Sequence, residues 1–199
     1  ECFYMSYTII PEKTAIKNGV SNSSKLISHK AFQVKELSVL DYGCGKLRNA
    51  KFLLNEGFKV SILDTKKQLH HISKEDLLLF EEVYEAESIS FDNKYPTVLC
   101  SFVLNVIPSE DIRVDILNNI HEFLTVDGFA YIEVRGTGFL KGAKTKVPYL
   151  DGFVLGNGEN KTFQKGFTKD TLIELISKSK LNLWEVQKFG DSLIAICRK

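Results

Sequence analysis

Short, nearly continuous apolar runs at 37–40, 58–63, 97–101 and 129–134 interrupt an otherwise mixed chain. Runs of this length and continuity match strands covered on both faces rather than helices. Between them the period changes. Ile112, Ile116, Leu117, Ile120 and Leu124 recur at helical spacing behind Ser109, Glu110 and Asp111, a capping residue followed by acids that a helix N-terminus favours. The stretch 46–56 predicts a second helix, stopped by Gly57 as its C-terminal cap. Ser73, with Asp76 three residues on, predicts a capped helix through about 82, and 83–84 a short strand. Serines before Lys25 predict the cap of a helix over 25–36, and Thr168 the cap of one carrying Leu172, Ile173, Leu175 and Ile176. Asp127-Gly128 reads as a turn, and Gly190-Asp191 lies between the apolar runs 181–188 and 192–198, a hairpin signal.

Strands alternating with helices predict an α/β fold. The expected form is a seven-stranded, mostly parallel sheet with helices on both faces and a terminal antiparallel hairpin. The chain, 199 residues long, reads as one domain over 1–199. Within it, 1–36 is an N-terminal cap segment and 136–167 an insertion too long for an unstructured connection. Ligands of such a sheet bind at the carboxyl ends of the strands, where the strand order reverses.

Composition narrows the classes. Hydrophobic residues make up 44% and the net charge is +1, so overall charge does not announce a nucleic acid or membrane partner. No apolar run approaches the roughly 18 residues of a membrane span, and no signal-peptide pattern stands at the start. The four cysteines, Cys2, Cys44, Cys100 and Cys197, form no CxxC pair and no zinc-type spacing. Free thiols in a reducing, cytoplasmic setting and no metal are the expectation. His70-His71 reads as an exposed loop doublet.

The turn after the first strand carries the chemistry. Asp41-Tyr42-Gly43-Cys44-Gly45 joins a buried strand to a helix, and Asp64 ends the next strand. The glycines let a ligand approach the backbone, and a carboxylate at Asp64 suits two ribose hydroxyls. The layout overlaps that of dinucleotide folds, yet the third glycine of GxGxxG is Arg48. Asp41, ahead of the first glycine, repels a pyrophosphate and attracts an ammonium.

Val39-Leu40-Asp41-Tyr42-Gly43-Cys44-Gly45 resembles the first motif of class I S-adenosylmethionine-dependent methyltransferases, and Asp64 matches that family's ribose-binding acid. The stretch 97–108 resembles the family's fourth strand and following loop, and 124–132 its helix end, glycine turn and fifth strand. With the closing hairpin the resemblance covers about 37–198. It implies S-adenosyl-L-methionine as cofactor, a Rossmann-like fold and methyl transfer. It places Asp41, Gly43, Cys44 and Gly45 at the methionine end, Asp64 at the ribose, and Ser101 and Phe102 between cofactor and acceptor. The family's frequent glycine is replaced by Leu47, and no clear adenine-binding motif follows the third strand; 85–88 is where one is expected. A narrower resemblance, carried by Thr14-Ala15-Ile16-Lys17, Ser24-Lys25-Leu26, 103–107 and 163–168, is to small phage and mobile-element methyltransferases, some associated with DNA phosphorothioation.

Methyl transfer from a sulfonium is an in-line displacement that chiefly requires alignment. The family therefore has no universal catalytic residue. The Asn/Asp-Pro-Pro-aromatic tetrad of amino methyltransferases is replaced by Ser101-Phe102-Val103-Leu104, and Cys100 lacks the Pro-Cys context of C5-cytosine enzymes. Asn105 and Arg135 are the catalytic candidates: Asn105 either orients a substrate or caps its loop, and Arg135 either binds an anion or is solvated. From Arg135 to Lys169 seven basic residues stand against two acids, Asp151 and Glu159, with five aromatics interleaved. Lys141, Lys144, Lys146, Lys161 and Lys165 are thus candidate contacts to nucleic acid or another anionic acceptor; a solvated, lysine-rich lid with inward aromatics is the competing reading. A small-molecule methyltransferase and a cofactor-binding, non-catalytic subunit of a defence or modification assembly are the alternative functions.

Overall fold

The computed structural model describes residues 7–30, 37–157 and 161–199. Its central sheet contains β1 (Ser38–Tyr42), β2 (Lys59–Asp64), β3 (Val83–Glu85), β4 (Tyr95–Ser101), β5 (Leu124–Arg135), β9 (Asn182–Phe189) and β10 (Ser192–Arg198). The spatial order is β3-β2-β1-β4-β5-β10-β9. β10 runs antiparallel to both β5 and β9, and the pairs among β1 to β5 are parallel. The order reverses between β1 and β4, which opens a crevice at the carboxyl ends of the strands.

Alternate residues of each strand feed two cores, because successive side chains point to opposite faces. On one face Leu193, Ala195 and Cys197 of β10 join Leu117, Ile120 and Phe123 of α5 (Glu110–Phe123) and Leu172, Leu175 and Ile176 of α6 (Lys169–Ser177). On the other, Ile194 and Ile196 join Ile27 of α1 (Asn22–Lys30) and Ala50 and Leu53 of α2 (Arg48–Asn55). Fully burying each such aliphatic side chain contributes about 1.5–3 kcal/mol before entropy is counted.

Local departures from the sequence pattern have physical causes. Helix α1 starts earlier than predicted: Ser21 Oγ accepts from the Ser24 amide at 3.2 Å, so Ser21 is the cap, and 31–36 lie outside the described residues. The helix expected from Ser73 shrinks to α4 (Lys74–Leu77), although the Ser73 cap is present, and α3 (Lys66–Leu69) precedes it behind a Thr65 cap. Asp127-Gly128 is not a break. Its residues bulge within one continuous β5, between the Tyr95↔Leu124 and Thr97↔Phe129 pairs. Cys44, Cys100 and Cys197 are free and buried, and Cys2 lies outside the described residues. Among the described residues no helix is long and apolar enough to cross a membrane, and no His/Cys/Asp/Glu group could hold a metal.

The insertion after β5 folds as a second, three-stranded antiparallel sheet: β6 (Lys146–Tyr149), β7 (Gly152–Leu155) and β8 (Thr162–Gln164). The turn before Gly152 holds Leu150 at φ 50°. Gly152 itself packs so close to Phe163 that a Cβ there would meet the ring at 2.5 Å. β8 leans on the 104–106 turn after β4 and on the 11–14 turn of the N-terminal segment, which sets this lid over the crevice.

Candidate functional site

A cavity of about 690 Å³ opens at the switch point, within the roughly 300–1,000 Å³ of small-molecule sites. The chain supplies it from every strand end in turn. Gly43, Cys44 and Gly45 come after β1, Asp64 ends β2, Ala86 follows β3, Ser101, Phe102 and Asn105 follow β4, and Arg135 ends β5. Residues 11–16 wall it from the N-terminal side, and Leu155, Thr162 and Gln164 wall it from the lid. Of the predicted cofactor and catalytic residues all but Asp41 are on the wall; Asp41 lies directly beneath the turn, 1% exposed.

The turn is built by its backbone. Gly43 and Cys44 amides both donate to Leu63 O, at 2.7 and 3.1 Å. Gly43 sits at φ +80°, and a Cβ there would lie 2.3 Å from Val103 Cγ2, so two loops meet where no side chain fits. Leu47, standing where the family often has glycine, adopts φ 65° as the residue before α2. That conformation costs a side-chain-bearing residue roughly 1–2 kcal/mol, offset here by burial at 2% exposure.

Asp64 accepts the Gly45 amide on Oδ2 at 2.7 Å and the Thr65 amide on Oδ1 at 2.8 Å. Gln68 Nε2 donates to Gly45 O at 2.8 Å, which locks the glycine turn to the β2 end. Burial raises the Asp64 carboxyl, and the two amides pull it back. Burial also pushes Asp41 from 3.8 up to about 7, helped by the Asp64 charge and opposed by Arg48 and the Ala50 amide. Asp41 Oδ2 has no hydrogen-bond partner among the described residues. A cation drawn to the turn, such as the ammonium of an amino acid, would relieve that. Burial lifts the Cys44 thiol well above its ordinary value and Tyr42 to about 12, so neither serves as a ready base.

Phe102 adopts φ 60°, an outlier for an aromatic residue. Its amide donates to Glu133 O at 2.8 Å, and the turned backbone places its ring between two guanidiniums. Arg48 lies 5.5 Å and Arg135 5.0 Å from the Phe102 ring centre, and Arg135 lies 5.5 Å from that of Phe139. Each such contact contributes about 0.5–2 kcal/mol. Burial and the Arg135 charge lower the Arg48 pKa. Among the described residues neither guanidinium forms an ion pair.

Three features of the site were not read from the sequence. Glu133, fully buried near the end of β5, accepts from the Ser23 amide (2.9 Å), Ser23 Oγ (2.6 Å), Asn22 Nδ2 (3.3 Å), Ser101 Oγ (3.4 Å) and Ser192 Oγ. It thereby docks the start of α1 beside the cavity. An acid inside the apolar run 129–134 was its signal. The apolar wall of Ile112 and Ile116 was assigned to helix packing alone, and the Gln164 contribution had no local signature. Within 85–88, Ala86 is the residue that lines the cavity.

None of the five lid lysines lines it. Lys165 pairs with Asp151 at 3.0 Å, Lys146 donates to Leu140 O at 2.9 Å, and Lys161 stands 4.3 Å from the Tyr7 ring centre. Lys141 and Lys144 are exposed, and Phe163 and Phe167 are fully buried.

A switch-point cavity with a glycine turn, an acid at the end of the second strand and a seven-stranded sheet with one reversed strand defines the class: the S-adenosylmethionine-dependent methyltransferases of the Rossmann-like kind. Within that class the chain belongs to the TehB family, because the model described as tellurite resistance protein TehB matches residues 9–172. The uncharacterised Escherichia coli protein YmfD is 25% identical over 172 residues, 79% of this chain and 78% of YmfD. The fold matches a TehB-like methyltransferase from Corynebacterium glutamicum with a TM-score of 0.63 at 21% identity, covering 92% of this chain and 89% of that one. It also matches the Burkholderia thailandensis 1,6-didemethyltoxoflavin-N1-methyltransferase, solved with S-adenosylhomocysteine, with a TM-score of 0.62 at 18% identity over 89% and 78% of the two chains.

Proposed function

We propose that this protein transfers the methyl group of S-adenosylmethionine to a small acceptor held within the cavity, beside Phe102 and Arg135. The residues present fit the cofactor: Asp41 supplies an unmatched buried oxygen under the turn, and Gly43 leaves a cradle that a Cβ would fill. Asp41 and the backbone of Gly43, Cys44 and Gly45 would hold the methionine end, Asp64 the ribose, and Ala86 and Ile116 the adenine side. When bound, the sulfonium supplies an already activated methyl carbon.

The chain's own task is alignment and exclusion of water. Phe102 forms the wall on which acceptor and donor meet. The lid and the 11–16 segment close the site from two sides. Arg135 favours an acceptor with an anionic group at that wall. Methyl transfer needs a lone pair on the acceptor atom, and a thiolate, an amine or a soft oxyanion presents one without losing a proton first. The family's name adds tellurite to the candidates.

The observation that carries a small acceptor over nucleic acid is where the lid lysines lie: none of Lys141, Lys144, Lys146, Lys161 and Lys165 lines the cavity, and two of the five lid aromatics, Phe163 and Phe167, are fully buried. The test is uptake of labelled methyl from S-adenosylmethionine by panels of small thiols, amines, organic acids and tellurite, against duplex DNA, single-stranded DNA and RNA. Uptake by a small acceptor, reduced about tenfold or more in kcat/KM by Arg135→Gln, supports the reading. Uptake by nucleic acid that falls when Lys141 and Lys144 become Glu overturns it.

A further inference from the structure

Arg135 faces the acceptor end, and its position is set from outside its own strand. Asn105 Oδ1 accepts from the Arg135 amide at 3.0 Å, and Asn105 Nδ2 donates to Arg135 O at 3.3 Å. The same Nδ2 donates to Lys165 O at 2.6 Å, and the Lys165 amide donates to Asn105 O at 2.8 Å. Two residues on, the Phe167 amide donates to Arg135 O at 2.9 Å. Gly166, between them, lies so close to the backbone that a Cβ would meet Gly136 O at 2.7 Å. One carboxamide, 1% exposed, therefore holds the chain end of β8 against the base of Arg135.

The other end of this connection is an ionic latch. Asp151, in the turn between β6 and β7, pairs with Lys165 at 3.0 Å and with Arg113 of α5, whose side chain is 1% exposed. Arg113 Nε and Nη1 have no other partner among the described residues, so Asp151 is the group that neutralises this buried charge. Burial alone would raise the Asp151 carboxyl; hydrogen bonds from Arg113 and Lys165 outweigh it and hold it low. The lid turn, the strand leaving the lid, Asn105 and Arg135 thus form one contiguous hydrogen-bonded chain.

We infer that Asn105 is a positioning residue that couples lid closure to the placement of the Arg135 guanidinium. Both Nδ2 hydrogens and the Oδ1 of its carboxamide are engaged by backbone groups, so it acts through Arg135 and the lid rather than on the acceptor. When the lid lifts, Asn105 loses the Lys165 carbonyl and Arg135 loses the Phe167 amide, which frees its backbone and withdraws the guanidinium from between Phe102 and Phe139. The inference rests on the methyl-transfer reading only for what Arg135 then does.

The test uses the full chain labelled with ¹⁵N-arginine, and needs no acceptor. With its Cζ 5.0 Å and 5.5 Å from the Phe102 and Phe139 ring centres, the Arg135 guanidinium is expected to give an Nε–H resonance displaced by ring currents, identified by its loss in Arg135→Lys. Asn105→Asp keeps the shape and removes both donors. Asp151→Asn loosens only the far end of the lid. Both variants are expected to move the Arg135 resonance away from its wild-type position, Asn105→Asp more than Asp151→Asn, with exchange of the β7 and β8 amides, followed by hydrogen–deuterium exchange mass spectrometry on unlabelled protein, faster by about tenfold or more. An unmoved Arg135 resonance in Asp151→Asn with a demonstrably loosened lid overturns the coupling, whether or not Asn105→Asp folds. S-adenosylhomocysteine titrated into the wild type separates the two ideas: failure to bind contradicts the proposed function and leaves the coupling to stand or fall on the resonance.

Discussion

Replacing Asp41 with Asn tests the electrostatics of the glycine turn. Asp41 is fully buried and raised from 3.8 to about 7. At about 1.4 kcal/mol per pH unit, holding it ionised costs the ligand-free fold up to about 4 kcal/mol. Between those two values the folded chain keeps a proton that the unfolded chain has released, so stability falls as pH rises from about 4 to about 7 and the cost is complete above that. Between pH 5 and pH 8 the wild type loses about 2–3 kcal/mol through this group. Asn keeps an acceptor for the Ala50 amide and carries no charge, so Asp41→Asn flattens the dependence. Urea unfolding at pH 5 and pH 8 reads the difference directly: the variant gains on the wild type by about 2–3 kcal/mol on moving to the higher pH. An equal gap at both values would refute the reasoning, since Asp41 would then titrate as an ordinary carboxyl. The same group links binding to protons. A ligand ammonium near Asp41 lowers its pKa, so S-adenosylhomocysteine binding at pH 6 releases a proton, measured as a dependence of binding heat on buffer ionisation enthalpy.

Gly43→Ala combines a left-handed φ with a Cβ 2.3 Å from Val103 Cγ2; S-adenosylhomocysteine affinity is expected to fall about tenfold or more, with partial recovery when Val103→Ala is added. Asp151→Ala leaves Arg113 buried without its carboxylate, whereas Arg113→Met removes the charge itself. The first is expected to be the more destabilising by about 1 kcal/mol or more, in denaturant titrations of the two variants, and equal losses would contradict that account of the latch. Arg48→Met removes one of the two guanidiniums beside Phe102 and is expected to lower kcat/KM for an anionic acceptor by less than Arg135→Gln does; a larger loss in Arg48→Met would contradict the role given to Arg135.

What the sequence disclosed was local. Short buried strands, the Ser73, Ser109 and Thr168 caps and the glycine turn each depend on neighbours within a few residues, so the succession of strands and helices and the turn at the cavity mouth were legible together. The parts that were not legible join distant positions. Glu133 meets Ser23 across 110 residues, Arg113 meets Asp151 across 38, and Asn105 meets Lys165 across 60. Ion pairing in the lid was equally hidden: Lys165 pairs with Asp151, and Arg113, a charge on a helix otherwise read by its apolar stripe, is that carboxylate's buried partner. The bulge at Asp127-Gly128 was misread because a turn signal and a strand bulge use the same residues.

The central claim is that the glycine turn and Asp64 hold S-adenosylmethionine. Calorimetric titration of the wild type and of Asp64→Ala with S-adenosylmethionine, S-adenosylhomocysteine and NAD measures it most directly. The account predicts saturable binding of the first two by the wild type, weakening of about 1.5–3 kcal/mol, or roughly tenfold to a hundredfold, in the variant, and no binding of NAD. A folded wild type that binds neither adenosyl compound, or binds NAD instead, would contradict it.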